Sequence, residues 1–190
     1  MKTNKLILFV GLLSMAFWGC NKESHPLTEI DKQMIPYELG DTIRFINESG
    51  RLSTLPVVED ETEWRETTVL NKPVSFECRR IYLKSKGDYW IYMYMKAWTT
   101  EHDGYRFVDI GGASAFVGDF RIYYDSKGHF RTGEGQYQYV YDSLEIDHKV
   151  YYNVCFVRGW QDARRELYYN TEYGILQVKK SGRNIFTLVP

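Results

Sequence analysis

From Asp41 onward the chain repeats one phrase: a short run of aromatic and β-branched residues, then a reversal built on Gly, Asn, Asp or Ser. Side chains that alternate with a period of two suit a pleated strand and cannot line one stripe of a helix. Thr42-Ile43-Arg44-Phe45-Ile46 alternates and is stopped by Asn47-Glu48-Ser49-Gly50. Asp125-Ser126-Lys127-Gly128 and Ser181-Gly182-Arg183-Asn184 mark further hairpins. Strand-like runs occupy 120–124, 136–141, 149–157 and 173–179. Sixteen Tyr, ten Phe and five Trp add residues that favour half-buried pleated surfaces. No dozen-residue window holds a 3.6-residue apolar period, although 27–35 and 159–166 could form short helical turns. The expected fold is all-β and mainly antiparallel, a β-sandwich or partly open barrel with at most short helical turns.

One hairpin is legible in detail. Val74, Phe76 and Cys78 share a face, whereas Ile81 and Leu83 have the opposite parity, which predicts a bulge near Arg79-Arg80. After the turn at Ser85-Lys86-Gly87-Asp88, the return strand 89–98 has two unlike faces. Ile91, Met93, Met95 and Ala97 carry no polar atoms, so burial costs them no hydrogen bond. Trp90, Tyr92, Tyr94 and Trp98 each carry a polar tip that needs a partner if buried, and Lys96 lies among them. The expectation is an Ile/Met face in the core and a Trp/Tyr/Lys face at least partly open to solvent. On that basis Trp90, Tyr92, Tyr94 and Trp98 are candidates for contact with a ligand or partner, Trp90 and Trp98 foremost for stacking; the competing reading packs them between two sheets. Tyr137, Tyr139 and Tyr141 alternate in the same manner in another run. Residues 59–66 form the one charge run and read as a solvated loop.

The N-terminus is of another kind. Lys2 and Lys5 precede an apolar run, 6–18, that is too short for the roughly 20 residues of a spanning helix and of normal length for an export signal. Phe17-Trp18-Gly19-Cys20 resembles a lipobox, in which the cysteine after a small residue becomes the acylated N-terminus; Trp18 replaces the usual small residue there. The expected organisation is a lipoprotein signal peptide over 1–19, the lipidated Cys20 and a polar tether over 20–36, and a single β-rich domain over 37–190. The polar Asn21-Lys22-Glu23-Ser24 resembles the short signal that sends Bacteroidota lipoproteins outward. The expected place is therefore the cell envelope, lipid-anchored in the outer membrane, with the surface face favoured over the periplasmic one.

Removing 1–19 leaves 171 residues and moves the formal charge from -1 to -3. Lys and Arg are scattered, so no basic field exists to hold nucleic acid. Cys78 and Cys155 each lie inside an apparent strand of an exported chain; a bridge between them and two free buried thiols stand as equal alternatives. Catalytic signatures are absent: Gly112-Ala113-Ser114-Ala115-Phe116 breaks the nucleophile elbow at its last position, and Gly133-Glu134-Gly135 lacks the third glycine of a phosphate loop. His25, His102, His129 and His148 show no metal-ligand spacing and sit beside Gly, Asp or Pro, which reads as exposed turn histidine. Neither a metal nor a cofactor is expected.

Val150-Tyr151-Tyr152-Asn153-Val154, Leu167-Tyr168-Tyr169-Asn170-Thr171-Glu172-Tyr173-Gly174-Ile175-Leu176 and Phe186-Thr187-Leu188, with the opening Tyr37-Glu38-Leu39-Gly40-Asp41-Thr42-Ile43-Arg44-Phe45, resemble a pattern in small uncharacterised lipoproteins of Bacteroidota. The resemblance implies an envelope location and a β-rich fold, and carries no catalytic residue. Independently, Tyr173-Gly174 between two aromatic runs is a place that needs backbone freedom. The expected function is a membrane-anchored, non-enzymatic binding or scaffold module that meets a protein or glycan partner. A polysaccharide-acting enzyme and a carrier for an apolar ligand are the alternatives.

Overall fold

The computed structural model describes residues 23–85, 89–97, 106–112, 120–132, 138–159 and 162–190. Its strands are β1 (Glu23–His25), β2 (Thr42–Asn47), β3 (Leu52–Val69), β4 (Lys72–Lys84), β5 (Trp90–Lys96), β6 (Arg106–Gly112), β7 (Phe120–Tyr124), β8 (Gln138–Ile146), β9 (Lys149–Arg158), β10 (Arg165–Asn170), β11 (Gly174–Lys180) and β12 (Arg183–Leu188), with one helix, α1 (Glu29–Gln33). Eleven strands form a single antiparallel path, β7-β6-β5-β4-β3-β2-β12-β11-β10-β9-β8, and β1 joins β4 in parallel. The path curls into a nearly closed barrel, so the expected all-β antiparallel fold is present in its barrel form.

Two meanders, β2 to β7 and β8 to β12, are stitched by β2 against β12 (Phe45↔Leu188, Ile46↔Thr187). The remaining seam lies between β7 and β8. There one side chain stands in for a ladder rung: Gln138 Oε1 accepts from Tyr123 N (2.9 Å), and Nε2 donates to Tyr123 O (2.8 Å) and Arg131 O (2.6 Å). A primary amide carries the same donor and acceptor as a peptide, so the buried glutamine completes an edge of β7 that is otherwise met by the Tyr124–Phe130 bridge and by Arg131 N donating to Tyr123 O (3.0 Å).

The turns follow the chemistry of their residues. Leu70-Asn71, Asp147-His148 and Ser181-Gly182 hold positive φ at both positions, the conformation whose twist matches two-residue hairpins. Asn47 Oδ1 accepts from the N–H groups of Ser49 and Arg51, and Asp125 Oδ1 from those of Lys127 and His129. Gly174 has φ +74°, and a Cβ there would lie 2.0 Å from the Tyr37 hydroxyl. That hydroxyl accepts from Ile175 N (2.7 Å) and donates to Tyr173 O (3.0 Å), so the glycine opens a slot for a clamp between the chain's early and late segments. Phe45, Phe120, Tyr124, Tyr169 and Phe186 fill the core at 1% exposure or less, each burial contributing about 1.5–3 kcal/mol.

Four expectations are corrected. The polar segment expected as a tether over 20–36 is part of the fold from Glu23 onward. β1 pairs with Val74–Phe76 of β4, and Leu27, Met34 and Ile35 enter the core. Their apolar side chains are spaced so that one turn of helix buries them together, a pattern that average polarity conceals. α1 is capped by Thr28 and Asp31 reciprocally (3.2 and 2.8 Å), and Arg79 donates to the carbonyls of Lys32 in its last turn and of Ile35 just past it.

The charge run 59–66 is not a loop but the middle of β3. Its acids meet arginines on β4: Asp60 accepts from Arg79 (3.0 and 2.9 Å) and Glu61 from Arg80 (2.5 Å). The bulge lies elsewhere too. The β4–β5 register is continuous from Cys78↔Lys96 to Lys84↔Trp90, and the extra residue is Val58 of β3. Parity switches because Val74, Phe76 and Cys78 are buried outside the main core cluster, while Arg79 turns inward. Residues 165–170, inside or next to the second helical window, form β10 instead.

Candidate functional site

The strand nominated from sequence is β5. Ile91, Met93 and Met95 are fully buried and alternate with half-buried Trp90, Tyr92, Tyr94 and Lys96. Trp98 lies outside the described residues, as do Cys20, Tyr137 and His102. β5 sits between β4 and β6, which sets the geometry of its outer face. Tyr92 pairs with Tyr82 on one side and Gly111 on the other. A Cβ on Gly111 would stand 2.3 Å from the Tyr92 ring, so that ring lies down over the glycine. Trp90 stacks on Tyr92 (centroids 6.1 Å, 29°) and leans on Tyr82 (5.7 Å, 32°). The result is a small aromatic tile whose edges are already held by neighbours.

Beside the tile the face is fastened by charge. Phe107 lies between Lys96 Nζ (5.2 Å) and the Arg121 guanidinium (4.0 Å). Arg121 donates twice to Asp109 (2.6 and 3.0 Å), which raises its already high pKa further. Tyr94 meets the Cys78 thiol at 3.0 Å, and burial pushes both groups up, the phenol strongly.

Cys78 and Cys155 are both free and buried. Of the two alternatives the bridge is therefore not the one adopted. Cys155 belongs to the core cluster, whereas Cys78 lies on the outer face beside Tyr94. Burial alone pushes the Cys155 thiol far up. Neither cysteine has the depressed pKa that makes a reactive thiolate.

The other alternating-Tyr run behaves differently. Tyr139 is 53%, Tyr141 40% and Tyr152 65% exposed on the β8–β9 hairpin. Behind them a chain of rings runs from Tyr139 to Phe156 (6.0 Å) and on to Tyr168 (5.2 Å), which Lys179 caps at 5.0 Å. Burial and Glu166 push the Tyr168 phenol up to about 12. Among the described residues β8 pairs with β9 alone, so its other edge from Tyr139 to Ile146 offers unpaired backbone groups. Local pattern marked these tyrosines as alternating; only the strand order reveals that they border a free edge.

A polar groove of about 640 Å³ runs beside α1, walled in part by Lys32, Ile35, Pro36, Asp41, Thr62 and Arg79. It has the size of a ligand site, but its two cations are already engaged. Arg79 spends its guanidinium on Asp60 and on the carbonyls of Lys32, Ile35 and Tyr37, and Lys32 is paired with Glu29 at 2.9 Å. The buried Asp31 is likewise consumed, accepting from Thr28, Arg106 and the Tyr124 hydroxyl. Among the described residues no three His, Cys, Asp or Glu side chains gather as a metal site. His129 and His148 lie in or beside turns as expected, near Asp125 (3.4 Å) and Glu145 (3.8 Å), while His25 ends β1 beside Glu23 (2.9 Å).

No protein-family model matches this chain, and no curated protein or solved structure matches it.

Proposed function

We propose that the protein is a lipid-anchored, non-catalytic binding module of the cell envelope, whose barrel receives an extended segment of a partner protein along β8. One observation carries this reading: a nine-residue strand, paired on one side only among the described residues, with exposed Tyr139 and Tyr141 along it. An unpaired strand edge is a template for another strand; backbone hydrogen bonds supply affinity and the alternate side chains supply choice. Tyrosine suits such a contact because it adds a large amphipathic surface at low rotamer cost. The test places a photoreactive amino acid at Ser143 in the full chain within its host. A discrete protein adduct that disappears in Tyr139→Ser/Tyr141→Ser supports the reading. An adduct indifferent to both tyrosines, or none, removes it.

A second reading, glycan binding on the Trp90–Tyr92 tile, is favoured by the near-parallel, half-open rings. Tryptophan fluorescence titrated with a panel of polysaccharides checks it, and a flat response in every titration rules it out.

A further inference from the structure

The β3–β4 hairpin ends in an arrangement that folding alone does not explain. Leu70 occupies the first position of its two-residue turn at φ +48°, followed by Asn71 at φ +63°. That conformation favours Gly, Asn and Asp; a leucine there is strained. The side chain gains nothing in return, since it is 92% exposed, the most open of the large apolar residues described. Strain held at an exposed apex points to a role outside the fold.

The position of β1 indicates what the apex meets. β1 runs parallel to β4, with Glu23 opposite Val74 and His25 opposite Phe76. Residue numbers on β4 rise away from the turn, so Glu23 is the end of β1 nearer the apex. Cys20 is three residues before Glu23, a covalent reach of about 10 Å at most. Along β4 the apex lies four residues before Val74, about 10–13 Å away at the rise of a strand. Cys20 and Leu70 therefore both lie within about 10–13 Å of the Glu23–Val74 pair, close enough for one bilayer surface to meet both.

The chemistry of the apex fits that surface. From Thr67 to Pro73 there is no acid, Lys72 is exposed beside Leu70, and the acids of β3 end at Glu66. One apolar side chain with an adjacent cation suits the boundary between acyl chains and anionic headgroups.

We propose that the β3–β4 apex, with Leu70 inserted and Lys72 at headgroup level, is a second membrane contact that sets how the barrel stands on the bilayer. It rests on the reading of Cys20 as the lipid-bearing residue. The barrel then stands on its longest hairpin, with α1 and the β2–β3 turn held away from the lipid.

The test uses the full, acylated chain in vesicles of phosphatidylethanolamine and phosphatidylglycerol. Leu70→Cys carries an environment-sensitive fluorophore, and Leu52→Cys, at the opposite end of β3 and 62% exposed, is the control. The expected result is blue-shifted emission at position 70 that loses most of its intensity when doxyl-labelled lipid is included, with neither change at position 52. Equal, unquenched emission at both positions in vesicle-bound, acylated protein overturns the membrane contact and leaves the anchor intact. Protein found unacylated and outside the membrane fraction overturns the anchor, and the contact with it.

Discussion

Two runs of alternating aromatics look alike in the sequence and end in opposite situations. On β5, Trp90, Tyr92 and Tyr94 lie on a strand flanked on both sides, so each ring finds a cross-strand neighbour: Tyr82, Gly111 and Cys78. On β8, Tyr139 and Tyr141 lie on a strand flanked on one side among the described residues, and they stay 53% and 40% exposed. The rings are equally apolar in both places. What differs is the number of neighbouring strands, and this converts one set into outer packing and the other into an open contact surface. An aromatic ladder is therefore informative about binding only once its rank in the sheet is known.

The largest effect should come from beneath β5. Met93→Ala removes a fully buried side chain and should cost about 2–5 kcal/mol in chemical denaturation. A loss below 1 kcal/mol would mean that the inward face of β5 is not the packed one. Next comes the tile itself. Gly111→Ala sets a methyl 2.3 Å from the Tyr92 ring and should cost about 1–3 kcal/mol as the ring is displaced, with a changed near-ultraviolet dichroism from Trp90. Unchanged stability and dichroism would show that the ring is not seated on the glycine.

On β8 the expectation reverses. Tyr139→Ser/Tyr141→Ser should move stability by no more than about 0.5 kcal/mol per site, as for open surface positions, while abolishing the partner adduct. A cost of several kcal/mol would erase the contrast between the two strands. The smallest effect concerns Tyr168, behind that surface. Its phenol is raised from 10.0 to about 12, so the folded state keeps the proton after the unfolded chain has lost it. Stability contributed by this group is intact below pH 10 and declines between roughly pH 10 and 12 as the unfolded state binds fewer protons. Tyr168→Phe should flatten that part of the melting-temperature profile; an unaltered slope would assign the decline to other tyrosines.

Much of the fold was legible because its signals are local. Gly50, Gly128 and Gly182 hold positive φ in the turns that contain them, and the two faces of β5 separate as the polar tips of Trp and Tyr require. The misreadings share one cause: a partner distant in sequence. The acids of 59–66 look solvated until Arg79 and Arg80 are placed opposite them. The opposite parities of Cys78 and Ile81 look like a bulge when every apolar residue is assigned to one core. The stretch around α1 looks like a tether when Leu27, Met34 and Ile35 are averaged with their polar neighbours. The openness of Tyr139 and Tyr141 had no local signal, since the rank of β8 follows from the pairing of β2 with β12 and from the seam at Gln138.

That seam makes the sheet a ribbon bent round on itself and buttoned, among the described residues, by the Gln138 amide. The ribbon's two selvedges, β7 and β8, are consecutive in the chain, whereas its midline joins β2 to β12 from opposite ends of the chain. A circular permutant opened between β7 and β8 would keep every ladder of the main path and every hairpin turn, whereas one opened at any other connection along that path would lose a hairpin. Unbuttoning Gln138 likewise frees two margins without tearing a rung. Among the described residues the two margins are hydrogen-bonded through a side chain rather than a ladder, so this seam is the stretch of wall that a rotamer change alone can loosen.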